Sequence, residues 1–162
     1  MKVDTLLFRR LRVLLASAGF VAASDAIAQS GAAPESLQWR IPSTLPISAR
    51  VATLRGDPAA PVEATLLISM PNGYEIGPHF HPGPIHVEVR EGTLLIGMGD
   101  TLDPKRAQFL TAGDSITVEA GIHHFWIAKG RTIASLSFMG PFTITYLRAE
   151  DAPRRKVFPF GY

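Results

Sequence analysis

The stretch Gly73-Tyr-Glu-Ile-Gly-Pro-His-Phe-His-Pro-Gly-Pro-Ile-His-Val-Glu-Val-Arg-Glu-Gly92 combines alternating runs with closely spaced histidines. Side chains two residues apart on a β-strand share a face, so His79 and His81 present their imidazoles side by side. The five histidines of the chain fall within 46 residues, and they are His79, His81, His86, His123 and His124. Neutral imidazole is a common ligand of Zn, Cu, Fe and Ni, so this grouping indicates a metal site.

The chain on either side of this stretch continues the pattern of short strands. Turn residues such as Pro71-Asn72-Gly73 and Gly113-Asp114 separate the runs. No window after residue 28 keeps apolar residues at helical spacing for the roughly 10–12 residues that a helix needs. The pattern predicts an all-β fold, an antiparallel sandwich or barrel. The apolar or alternating runs are 47–54, 62–70, 76–81, 85–90, 93–98, 115–119, 123–128, 132–139 and 142–148.

Length and composition exclude several classes of protein. A chain of 162 residues that is 46% hydrophobic is expected to form one globular core, and it is too apolar to be disordered throughout. The absence of cysteine excludes a disulfide framework, a thiolate metal site and a cysteine nucleophile. Any metal must therefore be held by nitrogen and oxygen ligands.

Residues 1–28 have the organisation of a secretory signal peptide. A basic beginning with Arg9 and Arg10 precedes the apolar run 13–23, and Ala26-Ile27-Ala28 provides small residues before Gln29. A membrane anchor is the alternative, but the run is shorter than the ~20 residues that cross a bilayer. We expect export, cleavage after Ala28, a leader segment over 29–44, and a periplasmic or secreted product without a membrane segment.

The charge of the chain is located in this signal. The net charge is +2, and residues 1–28 contain four basic and two acidic residues, which leaves 12 of each in the remaining 134. The basic triplet Arg154-Arg155-Lys156 lies beside two acidic residues in a proline-rich tail. The sequence therefore predicts no nucleic-acid partner.

Two spaced motifs make the chain resemble the cupin superfamily. The first cupin motif, G-x5-H-x-H-x3,4-E-x6-G, is matched by 73–92, with Ile85 in place of the glutamate. The second, G-x5-P-x-G-x2-H-x3-N, is matched by Gly113, Gly121 and His124, with Glu119 and Ala128 in place of its proline and asparagine. The chain resembles a small single-domain bacterial cupin over about 45–148, followed by a C-terminal arm over 149–162.

The resemblance implies a double-stranded β-helix, or jelly-roll barrel, with a metal in its mouth. His79, His81 and His124 match three cupin ligands, whereas Ile85 cannot coordinate a metal. The resemblance thus implies one divalent transition metal (Fe, Mn, Ni or Zn) on three histidines. Loss of the metal is the alternative that the missing glutamate leaves open.

The alternation of inward and outward positions along a strand indicates which residues next to the three histidines face the barrel interior. If Ile85, Val87 and Val89 face the barrel interior, His86 faces outward, and it could be a fourth ligand only through a bulge after Pro84. His123 has the opposite parity to His124, which indicates a surface, interface or second-shell role. Trp126 shares the parity of His124, so it is either a core residue or a substrate-binding pocket wall.

Three functions are compatible with these features. The first is a metal-dependent cupin oxidoreductase, such as a dioxygenase, that acts on a small organic molecule. The others are a non-enzymatic module that binds a small ligand or metal, and a metal-free isomerase. Tyr74, Glu75 and Tyr146 are the nearest candidate acids or bases, and no catalytic residue is assigned. We also expect a homodimer, because outward-facing positions such as Phe125 and Ile127 are apolar.

Overall fold

The structure is a computed structural model that describes residues 37–153. The predictions for the signal segment 1–28, for the first residues of the leader and for residues 154–162 fall outside the described residues. Within the described part, the predicted all-β class is confirmed, and the only helix is a single 3-10 turn, Pro104–Arg106. No helix there is long and apolar enough to cross a membrane. The strands are β1 (Arg50–Arg55), β2 (Glu63–Met70), β3 (Glu75–Phe80), β4 (Ile85–Met98), β5 (Gln108–Thr111), β6 (Ser115–Val118), β7 (His124–Met139) and β8 (Thr145–Tyr146).

Two long strands organise the barrel. The C-terminal half of β7 pairs with β2 on one side and with the first half of β4 on the other, and β1 and β6 extend this sheet. The N-terminal half of β7 pairs with β3 and with the second half of β4, and β8 and β5 extend that sheet. Every strand pair is antiparallel. The fold is therefore the predicted jelly-roll barrel.

The inward faces of these strands form one core. Strand β2 alternates regularly between buried and half-exposed positions, and its inward residues Leu66 and Ile68 join the core cluster. The predicted inward triad on β4, Ile85, Val87 and Val89, is buried in the same cluster. Each such side chain contributes about 1.5–3 kcal/mol on burial, so alternation in the sequence fixes which face of each strand points inward.

Four of the predicted runs merge in the structure. Runs 85–90 and 93–98 are one strand, β4, and runs 123–128 and 132–139 are one strand, β7. The register between β4 and β7 shifts around Gly92, whose φ of +80° and close approach to the carbonyl of Arg131 leave no space for a Cβ. A turn-like glycine here bends a continuous strand instead of ending it. Strand β5 was not predicted, and the last predicted run contains only the short β8.

Candidate metal centre

Three histidines meet inside the barrel, as the spacing predicted. His79 on β3 lies directly opposite His124 on β7, and their ring centroids are 4.1 Å apart. His81 follows β3, and its ring lies 5.1 Å from that of His79 and 5.3 Å from that of His124. All three side chains are buried. One ring nitrogen from each lies within 4.8 Å of the other two, which is an arrangement that could hold a metal ion.

A bulge in β3 aligns the first two histidines with the interior. Ile76 pairs with Trp126 and His79 pairs with His124, so three residue steps on β3 match two on β7. The extra residue at Gly77-Pro78 allows both Ile76 and His79 to face inward, although their separation is odd. His81 then shares the inward parity of His79.

Backbone carbonyls orient all three imidazoles in the same way. The Nδ1–H groups of His79, His81 and His124 donate to the carbonyls of Gly77 (2.8 Å), Thr143 (2.6 Å) and Ile122 (3.0 Å). A carbonyl oxygen can only accept, so each Nδ1 carries the proton and each Nε2 keeps a free lone pair. This is the tautomer that a histidine needs in order to bind a metal through Nε2.

The electrostatic surroundings keep the histidines neutral. Burial and, to a smaller extent, the nearby His124 lower the pKa of His79 to about 2. Burial also lowers the pKa of His124 to about 4 and lowers the pKa of His81. The Nε2 of His124 is buried and has no hydrogen-bond partner in the described part of the chain. A lone pair left unmatched in the interior is costly, so the donor set fits a bound divalent metal.

The other predicted site residues lie elsewhere. Ile85, at the position of the cupin glutamate, is buried in the apolar core. His86 lies on the exposed face of β4, where its Nδ1 is 3.1 Å from Oγ1 of Thr117, and it does not join the three histidines. His123 also points away, and its Nδ1 lies 2.6 Å from an oxygen of Asp100.

An apolar cavity of about 220 Å³ opens beside two of the histidines. His79, His81 and Trp126 line it, and Trp126 also belongs to the core, so both alternatives for this residue apply. Phe142 adds another wall, 5.0 Å from the ring of His81. The cavity is smaller than the ~300–1,000 Å³ of sites for drug-sized ligands, which favours a small molecule.

Residues of the leader segment form part of this cavity, which the sequence did not indicate. Positions 40 and 42–44 of this segment line the wall with Leu45, and two tyrosines hold the end of the segment and the residues after it in place. Tyr74 donates to the carbonyl of Pro46 (2.7 Å) and Tyr146 donates to the carbonyl of Thr44 (3.0 Å). Burial raises the pKa of both tyrosines. The two hydroxyls therefore hold the cavity wall in place through these hydrogen bonds, and they are poorly suited to act as acids or bases.

Known structures share this fold. The sequence matches no family model and no curated protein. The polyketide cyclase RemF of Streptomyces resistomycificus superposes with a TM-score of 0.59 at 15% identity, over 71% of this chain and 82% of that one. An RmlC-like cupin of Shewanella frigidimarina gives 0.51 at 19% identity, over 75% and 88%. Salicylate 1,2-dioxygenase of Pseudoaminobacter salicylatoxidans gives 0.54 at 15% identity, over 65% and 31%. The chain thus has the cupin fold.

Proposed function

We propose that the protein is an exported cupin that binds one divalent transition metal through His79, His81 and His124. In this proposal it acts as a non-haem metal-dependent oxygenase, or a related enzyme, on a small organic substrate. The observation that carries the proposal is the common orientation of the three imidazoles, whose Nδ1–H groups all donate to backbone carbonyls. When bound, Fe, Mn, Ni or Zn supplies a Lewis acid with open coordination positions.

The residues of the chain itself supply the surface that would bind the substrate. The cavity wall is mainly aliphatic and aromatic, so a substrate next to His79 and His81 would contact mostly apolar side chains. Phe142 and Trp126 restrict its shape beside the histidines. Salicylate 1,2-dioxygenase has the same fold, which makes oxygenase chemistry compatible with such a barrel.

Metal analysis of variants tests the ligand set. We expect about one metal per subunit in the mature protein, and loss of that metal in His79→Ala and His124→Ala, because each removes a buried nitrogen ligand. His86→Ala is the matched control, because it removes an exposed histidine of the adjacent strand. Elemental analysis after expression in metal-supplemented medium measures the content. A metal-free wild type, or loss of metal in His86→Ala alone, would overturn the assignment.

A non-enzymatic ligand-binding or sensing protein is the second candidate. It is favoured by the absence of any carboxylate among the described residues that line the cavity, which leaves no evident general acid or base. Oxygen consumption with phenols, thiols and diketones separates the two candidates. Turnover of any of these that disappears in His79→Ala favours the enzyme, whereas binding without turnover favours the second candidate.

The proposal also includes export and a homodimer in the periplasm or outside the cell. The expected mature chain begins at Gln29, because residues 26–28 have the small side chains that signal peptidase selects. Exposed apolar side chains such as Leu54, Phe109 and Met139 are compatible with a self-association surface, although Phe125 is fully buried and does not contribute. Mass spectrometry gives the first residue, and light scattering gives the oligomer. An uncleaved chain or a monomeric mass would contradict these expectations.

A further inference from the structure

The side chains of the cavity wall carry a positive formal charge and no negative one among the described residues. Among the described residues that line it, Arg40 is the only one charged at neutral pH, and none is acidic. The two lining histidines, His79 and His81, are buried and neutral. A metal held by three neutral imidazoles would keep its full double positive charge, because Ile85 stands where a carboxylate would compensate it.

Arg40 is fixed in position but has no anionic partner. Its backbone exchanges two hydrogen bonds with Val51, of 2.9 and 2.8 Å, which place it beside strand β1 at the cavity. Its side chain is exposed and forms no ion pair within residues 37–153. Other arginines there do find glutamates, as Arg90 does with Glu88 at 2.9 Å. The guanidinium of Arg40 is therefore available to a ligand.

A second donor in the wall lacks a partner. Trp126 is 1% exposed, lines the cavity, and has an Nε1–H group with no hydrogen-bond partner in the described part of the protein. A buried donor without an acceptor costs roughly 1–3 kcal/mol, so a ligand that brings an acceptor to this N–H group would be favoured. The Nε2 lone pairs of His79 and His81 on this wall would be used by the proposed metal. The N–H groups of Arg40 and Trp126 remain as donors, and a carboxylate provides two acceptors.

We propose that the cavity binds a small, largely apolar carboxylate, with its ring or branched body against the aliphatic wall and its carboxylate paired with Arg40. This inference names the substrate class of the site in the proposed function, and it rests on that function only for the role of the site. A guanidinium is suited to carboxylates because its parallel N–H groups match the two oxygens. The small volume of the cavity favours an acid of single-ring size.

Two probes of equal shape and different charge test the proposal. Cyclohexanecarboxylate and cyclohexanecarboxamide are titrated into the metal-free and the Zn-loaded mature protein. The background is Trp39→Phe, so that Trp126 is the only remaining tryptophan and its fluorescence reports occupancy. We expect the acid to bind about tenfold more tightly than the amide, because only the acid forms a charged pair.

Substitutions at arginine identify the partner of the carboxylate. Arg40→Met retains the apolar stem and is expected to weaken acid binding about tenfold while leaving amide binding unchanged. Arg50→Met is the matched control, since Arg50 also belongs to this edge of the barrel and does not line the cavity. Circular dichroism and urea unfolding confirm that both variants fold.

The outcomes separate this inference from the proposed function. Equal affinity for acid and amide, no effect of Arg40→Met, or no binding of the acid in the millimolar range would each overturn the inference. Preference for the acid only in the Zn-loaded protein, unaffected by Arg40→Met, would also overturn it, because the metal alone would then recognise the anion. Acid binding that depends on Arg40 in a protein that takes up no metal supports the inference and contradicts the metal-dependent function.

Discussion

The three histidines are oriented by two different kinds of contact. His79 and His124 each donate to a carbonyl two residues earlier, at Gly77 and Ile122, so their tautomers follow from local backbone structure. His81 donates instead to Thr143, which is 62 residues away in the chain, just before β8. The first two candidate ligands are thus oriented by neighbouring residues in the chain, whereas the third depends on the closed barrel. A change near Thr143 should affect His81 first.

Ile85 is the residue at which this chain differs most from the cupin ligand pattern. It lies inside the core and, with His81, lines the small space next to Phe142. An isoleucine here gains the stability of an apolar side chain and gives up a charged ligand. The candidate metal site is therefore left with three neutral imidazoles and no carboxylate.

We expect Ile85→Glu to create a protein whose stability depends on metal. Without metal, a buried carboxylate should destabilise the fold by roughly 2–4 kcal/mol, and added Mn²⁺ or Zn²⁺ should restore much of that loss by binding the new ligand. Urea unfolding with and without metal measures both effects. Val87→Glu is the control, because Val87 is equally buried and one inward position further along β4. If metal rescues both variants equally, position 85 is not next to the metal.

Among the strands, the pairing of β4 with β7 includes one position that requires a small residue. Gly97 pairs with Phe125, and a Cβ on Gly97 would collide with the Phe125 ring. Phe125 is fully buried beside His124, on the other face of β7. The absence of a side chain at position 97 therefore lets an aromatic ring cover the strand that presents a candidate metal ligand.

Gly97→Ala is expected to lower the free energy of unfolding by about 1–3 kcal/mol, because either the Phe125 ring or the backbone must move. Combining it with Phe125→Leu should recover part of the loss, since the smaller side chain leaves room for the new methyl group. Gly83→Ala is the control, because an added Cβ there meets nothing within 4 Å. Thermal or urea unfolding of the four proteins measures the effects. A Gly97→Ala variant as stable as Gly83→Ala would contradict this packing role.

For the whole molecule, alternation predicted an antiparallel sandwich or barrel, and the resemblance carried by the two motifs implied the jelly roll and the three gathered histidines. They succeeded because a one-residue slip would bury polar side chains such as Glu88 and Arg90 along the whole of β4. They did not predict the bulge at Gly77-Pro78 or strand β5, because a bulge interrupts the alternation and β5 is short and mostly exposed.

The sequence also did not predict that Arg40 lines the cavity or that Tyr74 and Tyr146 form hydrogen bonds with residues 44–46. Arg40 and residues 42–45 lie far from the histidine motifs in the chain, and only the folded barrel brings them to the cavity. The hydrogen bond from Tyr146 to Thr44 joins residues 102 positions apart. Such contacts leave no periodic signal, so local pattern and spacing provide no basis for predicting them.

A bound metal should stabilise the complete barrel against unfolding. Without a metal the fold must bury three imidazoles and leave the Nε2 of His124 unpartnered, so a metal that binds only the folded state should stabilise it. At a free metal concentration 100 times Kd the expected gain is about 2.7 kcal/mol, and a chelator should reverse it. His86→Ala should gain as much as the wild type, whereas His124→Ala should gain nothing. Thermal unfolding with and without metal decides this, and an equal gain in His124→Ala would show that the stabilising metal binds outside the three-histidine site.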